Sequence, residues 1–573
     1  MKQIFSQYLR PYFGRMSIGL TIKFIGSIMD LLLPWILSYL IDDVVPLGRL
    51  SLIIWWGIIM VICSAAALIT NIVANRMASR VAQLTTQALR HDLFDKITKL
   101  SCSQTDDFTI PSLESRLTSD TYNIHQMIGM MQRLGVRAPI LLLGGICITL
   151  ALEPVLALVL ISTLPLLGGL ISYISRKGIP MYTNLQTGVD TMVRTVRENI
   201  TGIRVIKALS KSEYECSRFS DVNAEVVRRE KKASTTMALT NPIMNLTLNA
   251  GLTAVIAVGA WRVNAGLTQP GKILAFLTYF TIILNALMSI NRMFMMYSKG
   301  SASAARIVEV LNTEDNLPTN ETAEISAQED YIVFDKVSFS YQKTEDNLTD
   351  ISLGIKKGET LGIIGATGSG KSTVANLLMR LYDPDSGEIR INGQNINSIP
   401  PEKLHSMFGV VFQGDILFGD TIAANIDFGR GLPEEQIKRA ARCAQAQEFI
   451  ETLPDGLNHR LTAKATNISG GQKQRVLIAR ALAGNPEILI LDDSSSALDY
   501  RTDAKLRAAL RENFKDTTAI VVAQRISSVM HADRILVLDE GHAVGYGTHE
   551  ELMKNCELYR EIGRSQIGGD EVA

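Results

Sequence analysis

No charge of either sign dominates this 573-residue chain: 57 basic residues stand against 57 acidic ones, for a net charge of zero. Without a basic surplus no overall field draws the chain to a polyanion, so no nucleic-acid partner is expected. Cysteine is also scarce. The six present, Cys63, Cys102, Cys147, Cys216, Cys443 and Cys556, form no CxxC pair and read as packing residues. The N-terminus, Met1 to Arg15, lacks an apolar run followed by a small-residue cleavage site and is therefore not a signal peptide. It mixes Lys2, Arg10 and Arg15 with Ile4, Phe5, Tyr8, Leu9, Tyr12 and Phe13, which suits an amphipathic helix lying at a membrane surface. Glycine and proline are missing from Ile58 through Ile110 and again from Ile203 through Asn241, so both stretches read as long helices without breakers. At 1.5 Å per residue the first could reach about 80 Å, well beyond a bilayer.

The length exceeds one core, and two or three domains are expected. A hydrophobic fraction of 47% beside 20% charged residues indicates an apolar region joined to an ordinary soluble one. The first half supplies six segments of the length a helix needs to cross a hydrocarbon core of about 30 Å. They lie near Ser17–Leu40, Leu52–Ile72, Val136–Leu152, Pro154–Tyr173, Ile243–Trp261 and Ile273–Tyr297, with Glu153-Pro154 as a tight turn. The long polar stretches between spans are rich in Arg76, Arg80, Arg90, Lys96, Arg194, Arg197, Arg228 and Lys231, whereas the opposite loops hold only Arg49, Arg262 and Lys272. The positive-inside rule then places the long loops, both termini and the whole second half in the cytoplasm. The Asn-x-Ser/Thr triplets at Asn245, Asn320, Asn347 and Asn467 fall in cytosolic or membrane sequence on that topology and read as chance matches.

Polar groups inside the spans are costly and usually face a bundle interior or a watery path. Asp30, Asn245, Asn249, Asn285, Asn291 and Arg292 are accordingly candidate substrate-path residues, with plain helix–helix hydrogen bonding as the alternative. Lys23 lies seven positions before Asp30 on the same helical face and can snorkel to the interface. Met288, Met293, Met295 and Met296 suit a surface that accepts varied apolar shapes, but methionine is also ordinary core filler.

From Leu311 to Asp330 the chain is polar and acidic without a single Lys or Arg, which marks a linker. This divides the sequence into residues 1–310, a linker 311–330, and 331–573. In the last part short β-type runs alternate with helical stretches, the pattern of a mostly parallel sheet flanked by helices. The run Thr360–Ile364 leads into Gly365-Ala366-Thr367-Gly368-Ser369-Gly370-Lys371-Ser372 and then a helical sequence from Thr373, a Walker A loop in its strand–loop–helix setting. Glycines let backbone N–H groups curl round phosphates, Lys371 reaches the outer phosphates, and the Ser372 hydroxyl meets Mg²⁺. Ile488 to Asp492 is an apolar strand ending in an acid, the form of a Walker B motif, with Asp492 as a metal ligand. Between them Ser469-Gly470-Gly471-Gln472 opens a helix, a ready anion site.

With these motifs the whole chain resembles the ABC transporter family, whose signature reads SGGQ. The resemblance implies an all-α six-helix membrane domain with long intracellular helices followed by an α/β P-loop ATPase domain, in the manner of exporter-type half-transporters. It implies that Tyr341 stacks on adenine, that Thr373 belongs to the ATP site, that Gln413 is the Q-loop residue sensing Mg²⁺, and that Ser496 to Asp499 form the D-loop. Thr109–Asp120 and Lys207–Glu215 would be the coupling helices. The cofactors are ATP and Mg²⁺, and two ATPase domains would sandwich two ATP molecules, each bound by one chain's Walker motifs and the other's signature, Ser469 to Gln472.

Two positions depart from the family pattern. Asp493 stands where a Glu activates the attacking water, and a carboxylate pulled back by about an ångström can cost on the order of 100-fold in rate. Gln524 stands where a switch His contacts the γ-phosphate, and an amide cannot carry charge or pass a proton as imidazole can. Thr462 to Ala465 also lack the Glu often found before the signature, while Ala366 replaces a common Pro with little expected effect. This pattern resembles the degenerate chain of heterodimeric bacterial multidrug exporters: it implies a site that binds ATP but hydrolyses it weakly, a second and different half-transporter as partner, a bacterial plasma-membrane location and small amphipathic substrates. An ATP-gated regulator or channel, and an exporter-shaped importer of a metal–siderophore complex, are the competing readings.

Overall fold

A computed structural model describes residues 1–314, 317–319, 329–341, 343, 345–494 and 498–567. Its contacts divide into two compact units, one built from Met1–Thr98 and Pro111–Thr313, the other from Lys99–Ile110 together with Glu314–Ala573.

The first unit is helical throughout. Among the described residues six helices are long and apolar enough to cross a membrane. The six apolar segments lie, to within one residue at Leu40 and Val136, inside the helices Phe13–Tyr39, Leu50–Thr98, Arg137–Leu152, Pro154–Thr201, Thr240–Asn264 and Pro270–Leu311. Helix is the state that satisfies every backbone group within one segment, which apolar surroundings demand. Glu153 is extended, with ψ +97, and Pro154 opens the next helix, where its missing N–H costs nothing. Arg262 holds the buried Glu153 carboxylate at 2.9 Å.

Two long stretches without breakers nonetheless break. Helix Leu50–Thr98, 49 residues or about 74 Å, stops short of Ile110. Ser101 ends it by starting a new helix, Cys102–Phe108. Its hydroxyl accepts from the Gln104 N–H, and the Gln104 side chain accepts from the Ser101 N–H. Helix Ser212–Ala238 is likewise set off from Ile203–Ala208 by Ser210, at φ +53. The segments expected to couple, Thr109–Asp120 and Lys207–Glu215, divide between the two units. Lys99–Ile110, which includes Thr109, is grouped with the second unit, and Pro111–Asp120 and Lys207–Glu215 with the first.

Buried charge in the first unit is paired. Asp120, 1% exposed, accepts from Ser303 at 2.8 Å and from the Arg306 guanidinium, while Arg116 meets Glu309 at 2.9 Å and the Arg306 carbonyl at 2.7 Å. Asp30 pairs with Arg137 at 3.0 Å, and the buried Lys23 ammonium donates to Asn75 at 3.0 Å rather than snorkelling. Asn245, Asn249, Asn285, Asn291 and Arg292, by contrast, lie on the exposed face of this unit.

The second unit contains two sheets among the described residues. The strands are β1 Ile332–Phe339, β2 Leu348–Ile355, β3 Thr360–Gly365, β4 Ser386–Ile391, β5 Gln394–Asn395, β6 Phe408–Val411, β7 Ile488–Asp492, β8 Thr518–Val522, β9 Arg534–Asp539 and β10 His542–Gly547. A six-stranded sheet runs β10-β9-β3-β8-β7-β6, parallel except for β10. β7 is buried over its whole length, as a continuous apolar run in a covered parallel sheet should be. The separate antiparallel sheet β2-β1-β4-β5 was not expected from the sequence pattern. It packs into one core with β3 and the helix Lys371–Leu378.

Removing the buried Asp120 carboxylate leaves Arg306 and Ser303 without their acceptor. Asp120→Ala should lower the unfolding free energy of the reconstituted protein by about 2 kcal/mol, at the low end for a broken pair because Arg306 is half exposed, whereas the exposed Asp43→Ala should change it by under about 0.5 kcal/mol. Thermal unfolding of both variants in the same lipid checks this.

Candidate functional site

Strands β3, β8, β7 and β6 run parallel and adjacent, so their C-terminal ends open on one edge of the sheet, where α/β folds place ligands. The loop after β3 begins at Gly365, where an added Cβ would stand 2.1 Å from the Leu538 carbonyl oxygen and 2.6 Å from Ser369 Oγ. Gly368 and Gly370 hold φ of +87° and +95°, a conformation that lets successive N–H groups face inward. Lys371 opens the following helix and lies 9% exposed, its Nζ donating to Gly365 O at 2.9 Å and Ala366 O at 2.6 Å. Burial pulls the Lys371 ammonium below its ordinary pKa, against the opposing pull of Asp492 and Asp493. The buried Ser369 hydroxyl has no hydrogen-bond partner among the described residues, a vacancy a phosphate oxygen suits.

Asp492 ends β7 and is 6% exposed, accepting hydrogen bonds from the Ser372 hydroxyl and the Gln413 backbone. Burial nevertheless raises its carboxyl above the usual range. Asp493 follows at φ +47, its N–H donating to Val522 O at 2.9 Å; burial raises its carboxyl too, with Lys371 and Arg525 opposing. Gln524 lies two residues beyond β8, with its carbonyl held by the Gln566 amide at 2.8 Å. These parts meet in one cavity of about 240 Å³ lined by Thr367, Gly368, Gly370, Lys371, Ser372 and Thr373 from the loop and helix, and by Gln413, Asp492, Asp493 and Gln524 from the other strand ends. Asn347 also lines it, a residue the sequence reading missed because a lone loop Asn carries no signal; its side chain accepts from the Tyr341 N–H at 3.0 Å.

Tyr341 is 41% exposed beside this cavity, its hydroxyl accepting from Asn376 at 3.1 Å. Ser469, Gly470, Gly471 and Gln472 do not line the cavity. Ser469 and Gln472 close a reciprocal cap on helix Gly470–Ala483, with Ser469 and Gly470 exposed at its N-terminus. In the D-loop segment Ser496 lies outside the described residues, while Asp499 caps helix Tyr500–Asn513 through the Thr502 N–H at 2.9 Å. An anion cradle, a buried lysine and a strand-end carboxylate in contact with a hydroxyl together form a site for a polyphosphate bearing a hard cation. The oxygen donors Ser372, Asp492 and Gln413 fit Mg²⁺.

Residues 16–287 match the model of the ABC transporter transmembrane region, and residues 348–496 match that of the ABC transporter. The chain is 35% identical over 98% of its length to an uncharacterized ABC transporter ATP-binding protein of Bacillus subtilis, YfiB, of which it covers 98%. It is 31% identical over 97% of its length to a multidrug efflux ATP-binding/permease protein of Mycobacterium tuberculosis, of which it covers 47%. Its fold matches the structure of a bacterial Atm1-family ABC exporter with ATP bound, at a TM-score of 0.81, 24% identity and coverage of 97% and 98% of the two chains.

Two outcomes follow from this geometry. Gly365→Ala should abolish ATP binding, because the methyl meets a backbone carbonyl that cannot move aside, and equilibrium binding of a fluorescent ATP analogue reads the loss. For Asp492 and Asp493 the folded carboxyls lie above their unfolded pKa, so the stability they contribute is fully present below the unfolded value and is lost as pH rises through the folded one. Bound Mg²⁺ needs the deprotonated form. Affinity for Mg·ATP should therefore fall by up to about tenfold per unit as pH drops through the raised Asp492 pKa, with a shallower slope in Asp492→Asn. Equal slopes in the two proteins contradict that role for Asp492.

Proposed function

The chain belongs to the ABC transporter family, an ATPase coupled to transport with a membrane unit ahead of its ATP-binding unit, and from that premise we propose that it is one half of an exporter whose own nucleotide site binds Mg·ATP but hydrolyses it weakly. The observation that carries this reading is that Asp493 and Gln524 line the same cavity as an intact phosphate loop.

In this reading Lys371 leaves the Gly365 and Ala366 carbonyls for the outer phosphates, and Tyr341 offers its exposed ring to adenine. Ser372, Asp492 and Gln413 hold Mg²⁺, which neutralises charge on the phosphates when bound. The Asp493 carboxylate stops short of the attacking water, and the Gln524 amide can bond a phosphate oxygen without passing a proton. Binding is thus retained while the chemical step loses its base.

The signature Ser469–Gln472 stands apart from this cavity with its helix N-terminus exposed, which suits completion of a site on a second chain. That partner is a different half-transporter carrying Glu and His at the positions of Asp493 and Gln524. ATP favours the closed pair, and release after hydrolysis reopens it. Asn245, Asn249, Asn285, Asn291 and Arg292 are exposed on the membrane unit, and the cost of polar groups in lipid favours a path shared with the partner, whereas Asp30 is taken up by Arg137. The substrate is a small amphipathic molecule, a reading supported by a relative named as a multidrug efflux ATP-binding/permease protein. The chain sits in a bacterial plasma membrane with residues 1–310 as membrane domain, 311–330 as linker and 331–573 as ATPase domain. The excess of Lys and Arg in its long loops orients the ATPase domain and both termini to the cytoplasm.

Two measurements test this. In the purified complex Asp493→Asn should change ATP turnover less than about twofold, while the matching Glu→Gln in the partner should lower it by about 100-fold or more. Equal losses defeat the asymmetric assignment. In inside-out vesicles ATP should drive an amphipathic dye inward; ATP-dependent dye loss would instead indicate import, and equilibration without accumulation a gated channel.

A further inference from the structure

An aromatic cluster joins the nucleotide cavity to the segment carried at the tip of the long helices. The ring of Tyr341 meets that of Tyr382 edge to face, with centroids 5.0 Å apart and planes at 89°, and Phe339 closes the cluster at 4.8 Å from Tyr341 and 5.7 Å from Tyr382. Edge-to-face pairs have directional preference, so fixing one ring restricts its neighbour. On its far side Tyr382 donates its hydroxyl to Asp106 Oδ2 at 2.7 Å, a hydrogen bond to a carboxylate and hence of the stronger kind.

Asp106 lies in helix Cys102–Phe108. Gln104 donates to the Glu314 carbonyl at 2.6 Å, and the Ser101–Gln104 cap closes the helix on itself. The Tyr382 bond ties this short helix, through a side chain, to the strand-and-helix body that carries the nucleotide cavity. The segment Lys99–Ile110 is continuous in the chain with helix Leu50–Thr98 before it and Ile110–Ser115 after it. Whatever moves Asp106 therefore pulls on both.

We propose that Tyr382 is a positioning residue that reports adenine occupancy to the membrane helices: a base stacked on Tyr341 fixes that ring, the edge-to-face contact fixes Tyr382, and its hydroxyl holds Asp106 and with it helix Cys102–Phe108. This rests on the reading of Tyr341 as the adenine platform. The tie sits on the adenine side of the site and makes no use of Asp493 or Gln524, so a chain that hydrolyses ATP weakly still transmits binding. A weak site then has work to do in the cycle as a sensor of bound nucleotide.

The test uses the full chain with its partner in membranes of the native host, following backbone hydrogen exchange over residues 102–108 with and without Mg·ATP. In the unmodified protein nucleotide should slow that exchange by at least about threefold. Tyr382→Phe keeps the ring and loses the bond; it should bind ATP within about twofold of the unmodified affinity yet lose most of the nucleotide-dependent slowing. Asp106→Asn retains an acceptor oxygen and should keep most of it. A purely structural bond would instead speed exchange equally with and without nucleotide, and that parallel shift overturns the proposal, as does full slowing in Tyr382→Phe. Tyr341→Ala separates the two readings. If it binds ATP as tightly as the unmodified chain, the platform assignment fails and the relay falls with it. If it loses affinity while Tyr382→Phe keeps full slowing, the relay alone is overturned.

Discussion

The buried ammonium of Lys371 must find its partners within the nucleotide cavity, and the ATP-binding unit is arranged round that requirement. Two carbonyls accept hydrogen bonds from it at 2.9 and 2.6 Å, with Asp492 and Asp493 supplying opposite charge from the end of β7. The carbonyls can approach only because Gly365 has no side chain and because Gly368 and Gly370 turn the chain through positive φ. The carboxylates are in reach only because β7 is buried along its length and ends at Asp492. A phosphate arriving here replaces weak carbonyl partners by full negative charge, and the gain in Coulomb energy in a low-dielectric site is what makes nucleotide binding strong enough to bias a much larger structure.

The membrane unit meets the opposite constraint. Charge inside it has to be met locally: Asp30 pairs with Arg137, Asp120 with Arg306 and Ser303, and the Lys23 ammonium is hydrogen-bonded to the Asn75 side-chain oxygen. The polar groups left exposed, from Asn245 to Arg292, cluster on the helices Thr240–Asn264 and Pro270–Leu311. Among the described residues those groups meet only neighbours on their own helix, Asn249 donating to the Asn245 carbonyl and Arg292 to Ser289, and the proposed transport path rests on their exposure.

Much of this was legible in the sequence. The six spans announce themselves because lipid allows one solution for a long apolar run, and the phosphate loop because only glycine tolerates its close approaches. The break after Thr98 was written in Ser101 and Gln104, but a capping box is a weak signal inside an otherwise uninterrupted helical pattern. The sheet β2-β1-β4-β5 was hidden because a short strand pattern does not name its pairing partners, which are set by tertiary packing. Tyr382 and Asp106 lie 276 positions apart, as Asp30 and Arg137 lie 107 apart, and no local pattern joins such pairs. Asp493 and Gln524 were visible only as departures from an expected motif, and the cavity brings both to the phosphate loop.

The central claim is that one weak and one working site belong to two different chains. Native mass spectrometry of the complex gently isolated from its own membranes, with sequencing of every chain it contains, tests this most directly. The account predicts a single companion half-transporter of different mass, bearing Glu and His where this chain has Asp493 and Gln524. A complex of two identical copies, with Asp493 and Gln524 in both sites, would contradict it.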